Sequence, residues 1–209
     1  MDETSRRPIR ARGSHWAQRS ATMLARSAIT PNQISVASAL FAAAGAAFLI
    51  YWPTWIGLLL CALCVQARLI CNLLDGMVAM EGGKKSAVGA LYNEFPDRVA
   101  DSLLIVALGY ACGQPWLGWL GALLAALTAY VRLAGGSLGQ PQDFRGPMAK
   151  QHRMAVLTAA CVFGAIERIW LGSHWTLLIA AGLIAIGSAL TCVTRARAIA
   201  AKLHTGGAA

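Results

Sequence analysis

Residues 72–101 read Asn72-Leu-Leu-Asp75-Gly76-Met-Val-Ala79-Met80-Glu81-Gly-Gly-Lys84-Lys85 and, after three further residues, Gly89-Ala-Leu-Tyr-Asn93-Glu94-Phe-Pro96-Asp97-Arg98-Val-Ala-Asp101. Five of the nine acidic residues of the chain fall in this stretch, although long apolar segments precede and follow it. Carboxylates at the edge of a bilayer are costly unless they are paired or bound to a cation. The stretch is therefore the first candidate for a functional site.

The composition of the whole chain indicates an integral membrane protein. Of its 209 residues, 57% are hydrophobic and 13% are charged. Several apolar runs approach the roughly 20 helical residues that cross a hydrocarbon core, and the absence of alternation favours helices over a barrel. We predict an all-α, polytopic protein with a cytoplasm-facing polar cavity and six spans near Ile34–Tyr51, Trp55–Leu74, Val99–Cys112, Trp116–Ala134, Met154–Trp170 and Trp175–Val193.

The basic residues predict the orientation of these spans. Lys and Arg concentrate in the N-terminal arm, the loops after the second and fourth spans, and the C-terminal tail, which all fall on one side. By the positive-inside rule, both termini and the acidic stretch are cytoplasmic. The net charge of +9 then reflects topology and contact with anionic lipid. Nucleic-acid binding is disfavoured because the basic residues are spread over loops that flank the membrane.

The chain divides into three parts. Residues 1–28 form a basic arm whose second half, from Ser14, suits a short helix lying in the membrane interface. Residues 29–198 form the membrane domain, which opens with Thr30 as a helix cap and Pro31 in the first turn. Residues 199–209 form a short tail. The six cysteines lie within or at the ends of the spans, where small packing residues are expected rather than a redox pair.

Helical spacing places the polar residues of the second span on one stripe. An α-helix turns about 100° per residue, so one side of this span carries Arg68, Asn72, Asp75 and Ala79, with Gly76 beside them. Such a stripe faces a polar cavity or another helix. Two interpretations of Arg68 remain open, a buried ion pair between helices and a phosphate contact deep in the cavity.

Two carboxylates also share a face of the third span. Asp97 and Asp101 are four residues apart, and they would repel each other unless a cation or a proton lay between them. Pro96 fits best in the first turn of that helix. If the helix begins near Gly89 instead, Pro96 must kink it. The sequence leaves both starts open.

A second polar concentration follows the fourth span. It contains basic residues that could bind an anionic group together, although an ordinary positive-inside loop is the alternative: Arg132, Arg145, Lys150 and Arg153.

With these residues in view, the chain resembles the CDP-alcohol phosphatidyltransferase family. That family carries Asp-x2-Asp-Gly-x2-Ala-Arg, about eight residues, then Gly-x3-Asp-x3-Asp. The first half matches here with Asn72 in place of a carboxylate and Met80 in place of an arginine, as in a variant bacterial inner-membrane branch. Strict spacing puts Asn93 and Asp97 at the last two acidic positions. Local similarity puts Asp97 and Asp101 there, and we prefer this register because it supplies two carboxylates on one face.

The resemblance implies transfer of a phosphatidyl group from CDP-diacylglycerol to an alcohol with release of CMP, in phospholipid biosynthesis at the bacterial inner membrane. It implies a cofactor of Mg²⁺ or Mn²⁺, as two ions, and commonly a homodimer. The resemblance also implies roles for individual residues. Metal would be bound by Asn72, Asp75, Asp97 and Asp101, and Asp101 would also be the general base. The nucleotide would be bound by Gly76, Ala79, Lys84 and Lys85, and the substrate by Arg68, Arg132, Arg145, Lys150 and Arg153. The positive charge favours a phosphorylated alcohol such as glycerol 3-phosphate.

Two other functions compete with this one. Acidic residues in a membrane also serve carriers of cations or small solutes, although carriers commonly bind near the midplane and often contain internal repeats. The departures at Asn72 and Met80 also fit a family member that binds the nucleotide lipid without turnover.

Overall fold

The structure is a computed structural model, and it describes residues 13–81, 83 and 88–206. Every helix or strand in these ranges is an α-helix, which confirms the predicted all-α class. The helices are α1 (His15–Ala25), α2 (Pro31–Tyr51), α3 (Trp55–Glu81), α4 (Gly89–Ala111), α5 (Pro115–Ser137), α6 (Lys150–Trp170) and α7 (Trp175–Gly206).

Four of these helices are long and apolar enough to cross a membrane, namely α2, α3, α5 and α7. The other two long helices, α4 and α6, carry more charge. In α4 the charged residues are Glu94, Asp97, Arg98 and Asp101, and in α6 they are Lys150, Arg153, Glu167 and Arg168. The prediction of six spans is therefore supported by length and composition for four of them, and it stays a prediction for α4 and α6.

The start of α2 follows from local sequence, as predicted. The Thr30 hydroxyl accepts a hydrogen bond from the Gln33 backbone N–H, and the Gln33 side chain accepts one from the Thr30 backbone N–H. This reciprocal capping satisfies two of the donors that a helix start leaves unpaired. Pro31 occupies the first turn, where its missing N–H costs nothing.

The start of α4 decides between the two alternatives for Pro96. The helix begins at Gly89, so Pro96 lies inside it, and the helix extends ten residues before the predicted span start at Val99. A proline removes one helical hydrogen bond. The first turns of α4 contact another helix, since Glu94 pairs with Arg132 of α5 at 2.6 Å.

The predicted N-terminal helix is present as α1. Ala17 and Ala21 are fully buried, and they belong to an apolar cluster with Leu73, Met77 and Val78 of α3. On its other side, Trp16 and Met23 are exposed. The helix therefore has an apolar exposed side and a small-residue side packed on α3, while its location in a membrane interface stays a prediction.

Small residues let the long helices approach closely. A Cβ atom added at Gly109 of α4 would lie 2.5 Å from the Gly118 Cα of α5, and one added at Gly118 would lie 2.8 Å from the Val106 carbonyl oxygen. Backbone therefore touches backbone at this crossing. Cysteines fill a similar role, since Cys61 and Cys161 are free and buried in the apolar core.

We expect Gly118→Ala to destabilise the protein by about 1–3 kcal/mol, because the added methyl group must push α4 and α5 apart. Thermal unfolding in detergent measures this as a lower melting temperature. The matched control is Gly182→Ala in α7, where a Cβ atom meets nothing within 4 Å. Equal melting temperatures for the two variants would contradict the close crossing.

Candidate active site

A buried bridge of charges joins three helices at the centre of the site. Asp101 of α4 accepts hydrogen bonds from Arg68 of α3 and from Arg153 of α6, each at 2.7 Å, with one carboxylate oxygen for each arginine. The three side chains are between 0% and 2% exposed. Asp101 therefore serves as the shared counter-ion of two buried guanidinium groups. Of the two interpretations of Arg68, the structure therefore shows the buried ion pair between helices.

Asp97 lies one turn nearer the start of α4, where it faces Asn72. The Asn72 amide N–H donates to Asp97 Oδ1 at 3.0 Å, and the Asn72 oxygen accepts from the Ser38 hydroxyl at 2.7 Å. Arg68 also reaches Asp97 Oδ1, at 3.3 Å, while the Lys150 ammonium contacts Asp97 Oδ2. Asn72 therefore stands opposite Asp97 rather than Asp101, and Asp97 is an acidic motif position in both registers.

Asp75 completes the polar face of α3. It is 4% exposed, and the Ser35 hydroxyl of α2 donates to its Oδ2 at 2.6 Å. Within the described part of the chain Asp75 forms no ion pair, in contrast to Asp97 and Asp101. Gly76 and Ala79, on the same face, are half-buried. The predicted stripe of the second span is thus confirmed as a surface that faces other helices.

Sequence reasoning missed three contributors to this site. Ser35 and Ser38, on α2, hold Asp75 and Asn72, and Glu94 pairs with Arg132. The two serines are three residues apart in an otherwise apolar helix, so they share a face. This spacing is the signal that could have identified them.

The loop between α5 and α6 carries the remaining predicted substrate residues. Arg132 donates to Gln142 at 2.6 Å, and its guanidinium lies 5.3 Å from the centre of the Phe144 ring. Arg145 is exposed and hydrogen-bonds to Asp143, and this contact lowers the pKa of the Asp143 carboxyl. Of the predicted group, Arg145 is thus open to solvent, whereas Arg153 is buried in the bridge.

The oxygen atoms at the site suit a hard divalent cation. Asp75 and Asp97 supply carboxylates, which are the ligand type that Mg²⁺ and Mn²⁺ prefer. The Asn72 oxygen accepts from the Ser38 hydroxyl, and the Asn72 N–H faces Asp97. Residues 13–81, 83 and 88–206 contain no group of three or more His, Cys, Asp or Glu side chains arranged to hold a metal ion. The Lys150 ammonium already supplies one positive charge beside Asp97. Lys84 and Lys85 lie outside the described residues, as does the Asn93 side chain.

Comparisons with known proteins identify the family. The archaetidylinositol phosphate synthase of Aeropyrum pernix is 32% identical over 141 residues, which cover 66% of this chain and 70% of that protein. The phosphatidylinositol phosphate synthase of Streptomyces avermitilis is 27% identical over 191 residues, 84% of this chain and 74% of that protein. No family model matches the chain.

Solved structures share the fold. The phosphatidylinositol phosphate synthase of Mycobacterium tuberculosis with CDP-DAG bound superposes with a TM-score of 0.74 at 19% identity, covering 89% of this chain and 94% of that one. The same enzyme in complex with manganese and citrate also gives 0.74 at 19% identity, over 88% of each chain. Together with the sequence relatives and the motif residues, this places the chain in the CDP-alcohol phosphatidyltransferase family.

We expect Asp101→Asn to destabilise the protein by about 3–5 kcal/mol, because it leaves two buried arginines without their shared counter-ion. The control is Arg145→Gln, which removes a charge whose side chain is 63% exposed and should change stability by about 0–1 kcal/mol. Thermal unfolding of both variants in detergent measures the difference. If Asp101→Asn has the same melting temperature as the parent protein, the bridge does not hold the helices together.

Proposed function

We propose that the chain is a divalent-metal-dependent CDP-alcohol phosphatidyltransferase, which transfers a phosphatidyl group from CDP-diacylglycerol to an alcohol and releases CMP. One observation carries this proposal: the motif residues Asn72 of α3 and Asp97 of α4 are in contact, in a chain that belongs to this family. Asp75 is buried about one turn further along α3. The CDP-DAG and the manganese in the solved structures of a relative support it.

The carboxylates explain why a cation is needed. Asp75, Asp97 and the Asn72 oxygen would hold Mg²⁺ or Mn²⁺, which would neutralise the diphosphate and stabilise the departing phosphate. Gly76 and Ala79 have no bulky side chain, so the nucleotide would lie close to the backbone of α3. Lys84 and Lys85 lie five and six residues after Ala79 in the sequence, and we assign them to the nucleotide phosphates.

The reaction is a displacement at one phosphorus. The acceptor hydroxyl oxygen forms a bond to the phosphorus that carries diacylglycerol, and the bond from this phosphorus to the CMP oxygen breaks. The hydroxyl proton passes to a carboxylate near the diphosphate. The sequence prediction gives this role to Asp101, but both oxygens of Asp101 accept from arginines. The oxygens of Asp97 also accept from Arg68, Asn72 and Lys150. Its side chain is 13% exposed, against 2% for Asp101, so we propose Asp97 as the alternative proton acceptor.

The acceptor is a phosphorylated alcohol in this proposal. Arg132, Arg145 and Lys150 place positive charge at the cytoplasmic ends of α5 and α6, where a phosphate monoester would be bound. Arg153 would act through Asp101, since it is buried in the bridge. The names of the two sequence relatives both contain inositol phosphate. An inositol phosphate therefore joins glycerol 3-phosphate as a candidate acceptor.

The location follows from the two substrates. The acyl chains of CDP-diacylglycerol stay in the bilayer while the nucleotide reaches water, so we place the site at the cytoplasmic edge of a bacterial inner membrane. Six spans with both termini in the cytoplasm, within the domain 29–198, fit this placement. We also propose a homodimer, by analogy with the family.

We expect Asp75→Asn and Asp97→Asn each to abolish metal-dependent CMP release, because each removes half of the negative charge that holds the cation. The measurement uses the purified chain, CDP-diacylglycerol and a panel of alcohols that includes glycerol 3-phosphate and an inositol phosphate. Mass spectrometry of the lipid products identifies the acceptor. Asp2→Asn, a carboxylate-to-amide change outside the motif residues 72–101, serves as the control.

Near-normal turnover in both variants would contradict the assignment. Absence of CMP release from the parent protein with every alcohol, together with retained binding of CDP-diacylglycerol, would favour the non-catalytic alternative. A cation flux into liposomes that needs no nucleotide lipid would instead favour a carrier.

A further inference from the structure

The short helix α1 has a buried side and an exposed apolar ridge. An α-helix turns about 100° per residue, so Ala17 and Ala21 fall on one side, and both are fully buried in the cluster with α3. Trp16 and Met23 fall together about 130° away from them, and they are 49% and 69% exposed. The described part of the chain therefore leaves this ridge largely open.

Two arginines of α1 flank the ridge, on the side away from the buried alanines. Arg19 and Arg26 lie about 60° beyond the ridge, and both are exposed. None of the ion pairs in the described part of the chain includes either of them. The neutral polar residues Gln18 and Thr22 follow further around the helix. An apolar ridge bordered by arginines is typical of a helix that lies on a membrane, with the ridge among the acyl chains and the cations at the phosphates.

The connection to α2 gives the level of α1 relative to the bilayer. Residues 26–30 join the two helices, and α2 is long and apolar enough to cross a membrane. This short link keeps α1 at the level where α2 enters the bilayer. On its buried side α1 packs on Leu73, Met77 and Val78 of α3, the same turns that carry Asp75. A lipid headgroup on α1 would therefore lie one helix away from the candidate active site.

We propose that α1 is a binding surface for anionic phospholipids, with Arg19 and Arg26 at the headgroup phosphates and Trp16 and Met23 among the upper acyl segments. The two arginines lie seven residues, or about 10 Å, apart along the helix, so they contact separate headgroups. A basic residue near an anionic membrane surface gains roughly 1 kcal/mol, which corresponds to about fivefold enrichment of the anionic lipid for each arginine. The inference goes beyond the proposed function, because it concerns a surface outside the active site.

The test measures which lipid collects at α1. The full chain is labelled with fluorotryptophan and placed in phosphatidylcholine nanodiscs, and the fluorine resonance of Trp16 is assigned by its loss in Trp16→Phe. A small fraction of spin-labelled phosphatidylglycerol, or of spin-labelled phosphatidylcholine, then broadens the resonance of any tryptophan close to it. We expect the broadening of Trp16 to be at least about fivefold larger with the phosphatidylglycerol label.

Charge variants separate lipid binding from a structural effect. In the double variant Arg19→Gln with Arg26→Gln, the ratio of the two broadenings should fall to about one, because no cation remains beside the ridge. The double variant Arg19→Lys with Arg26→Lys keeps the charge and should keep the ratio. The matched control is Arg197→Gln, an exposed arginine of α7, which should also behave as the parent. Added sodium chloride should lower the ratio in the parent, since salt screens exposed charges.

Equal broadening by the two labels in the parent, the parent's ratio in the glutamine double variant, or a lost ratio in the lysine double variant would each overturn the inference. So would loss of the ratio on adding inorganic phosphate at unchanged ionic strength, because the surface would then take a free anion. No nucleotide lipid or acceptor alcohol is present. The outcome therefore does not depend on the proposed transferase activity.

Discussion

Two arginines from different helices share one buried carboxylate, and the rotation of α4 depends on this contact. Arg68 and Arg153 are almost fully buried, and a buried guanidinium without a partner is strongly destabilising. Asp101 satisfies both, so α3, α4 and α6 meet with this residue between them. Once Asp101 points inward, Asp97 follows one helical turn away on the same face. It then comes within hydrogen-bond distance of Asn72. The bridge thus positions the residues that face the proposed substrate without touching it.

The same contact sets the electrostatics of the site. Asp101 is neutralised internally, which leaves Asp75 and Asp97 as the carboxylates for a cation among the described side chains. Asn72 adds no charge, since its oxygen accepts from the Ser38 hydroxyl and its N–H donates to Asp97. Arg68 donates to Asp101 in the bridge. Lys150 instead brings positive charge to Asp97 from another helix.

The loop that carries Arg145 is held against α7. The Met148 backbone N–H donates to the Thr191 hydroxyl at 2.9 Å, and Arg195 donates to the Arg145 carbonyl oxygen at 2.8 Å. Arg195 also donates to the Thr128 carbonyl oxygen of α5 at 2.6 Å. These contacts fix the loop between two helices while the Arg145 side chain remains exposed. An exposed cation on an anchored backbone suits recognition of a phosphorylated acceptor.

The sequence by itself determined the features that depend on neighbouring residues. Thr30, Pro31 and Gln33 specify the start of α2 within four positions, the long apolar runs specify the helical class, and the acidic stretch specifies the family. Tertiary structure decided the start of α4, the placement of Asp97 rather than Asp101 opposite Asn72, and the partners of Arg68. These outcomes depend on side chains that lie from 25 to 86 positions apart in the chain. Helical periodicity predicts the face of the helix on which such residues lie. Only the packing of the helices decides which residues of two neighbouring faces lie at the same level along the helix axes.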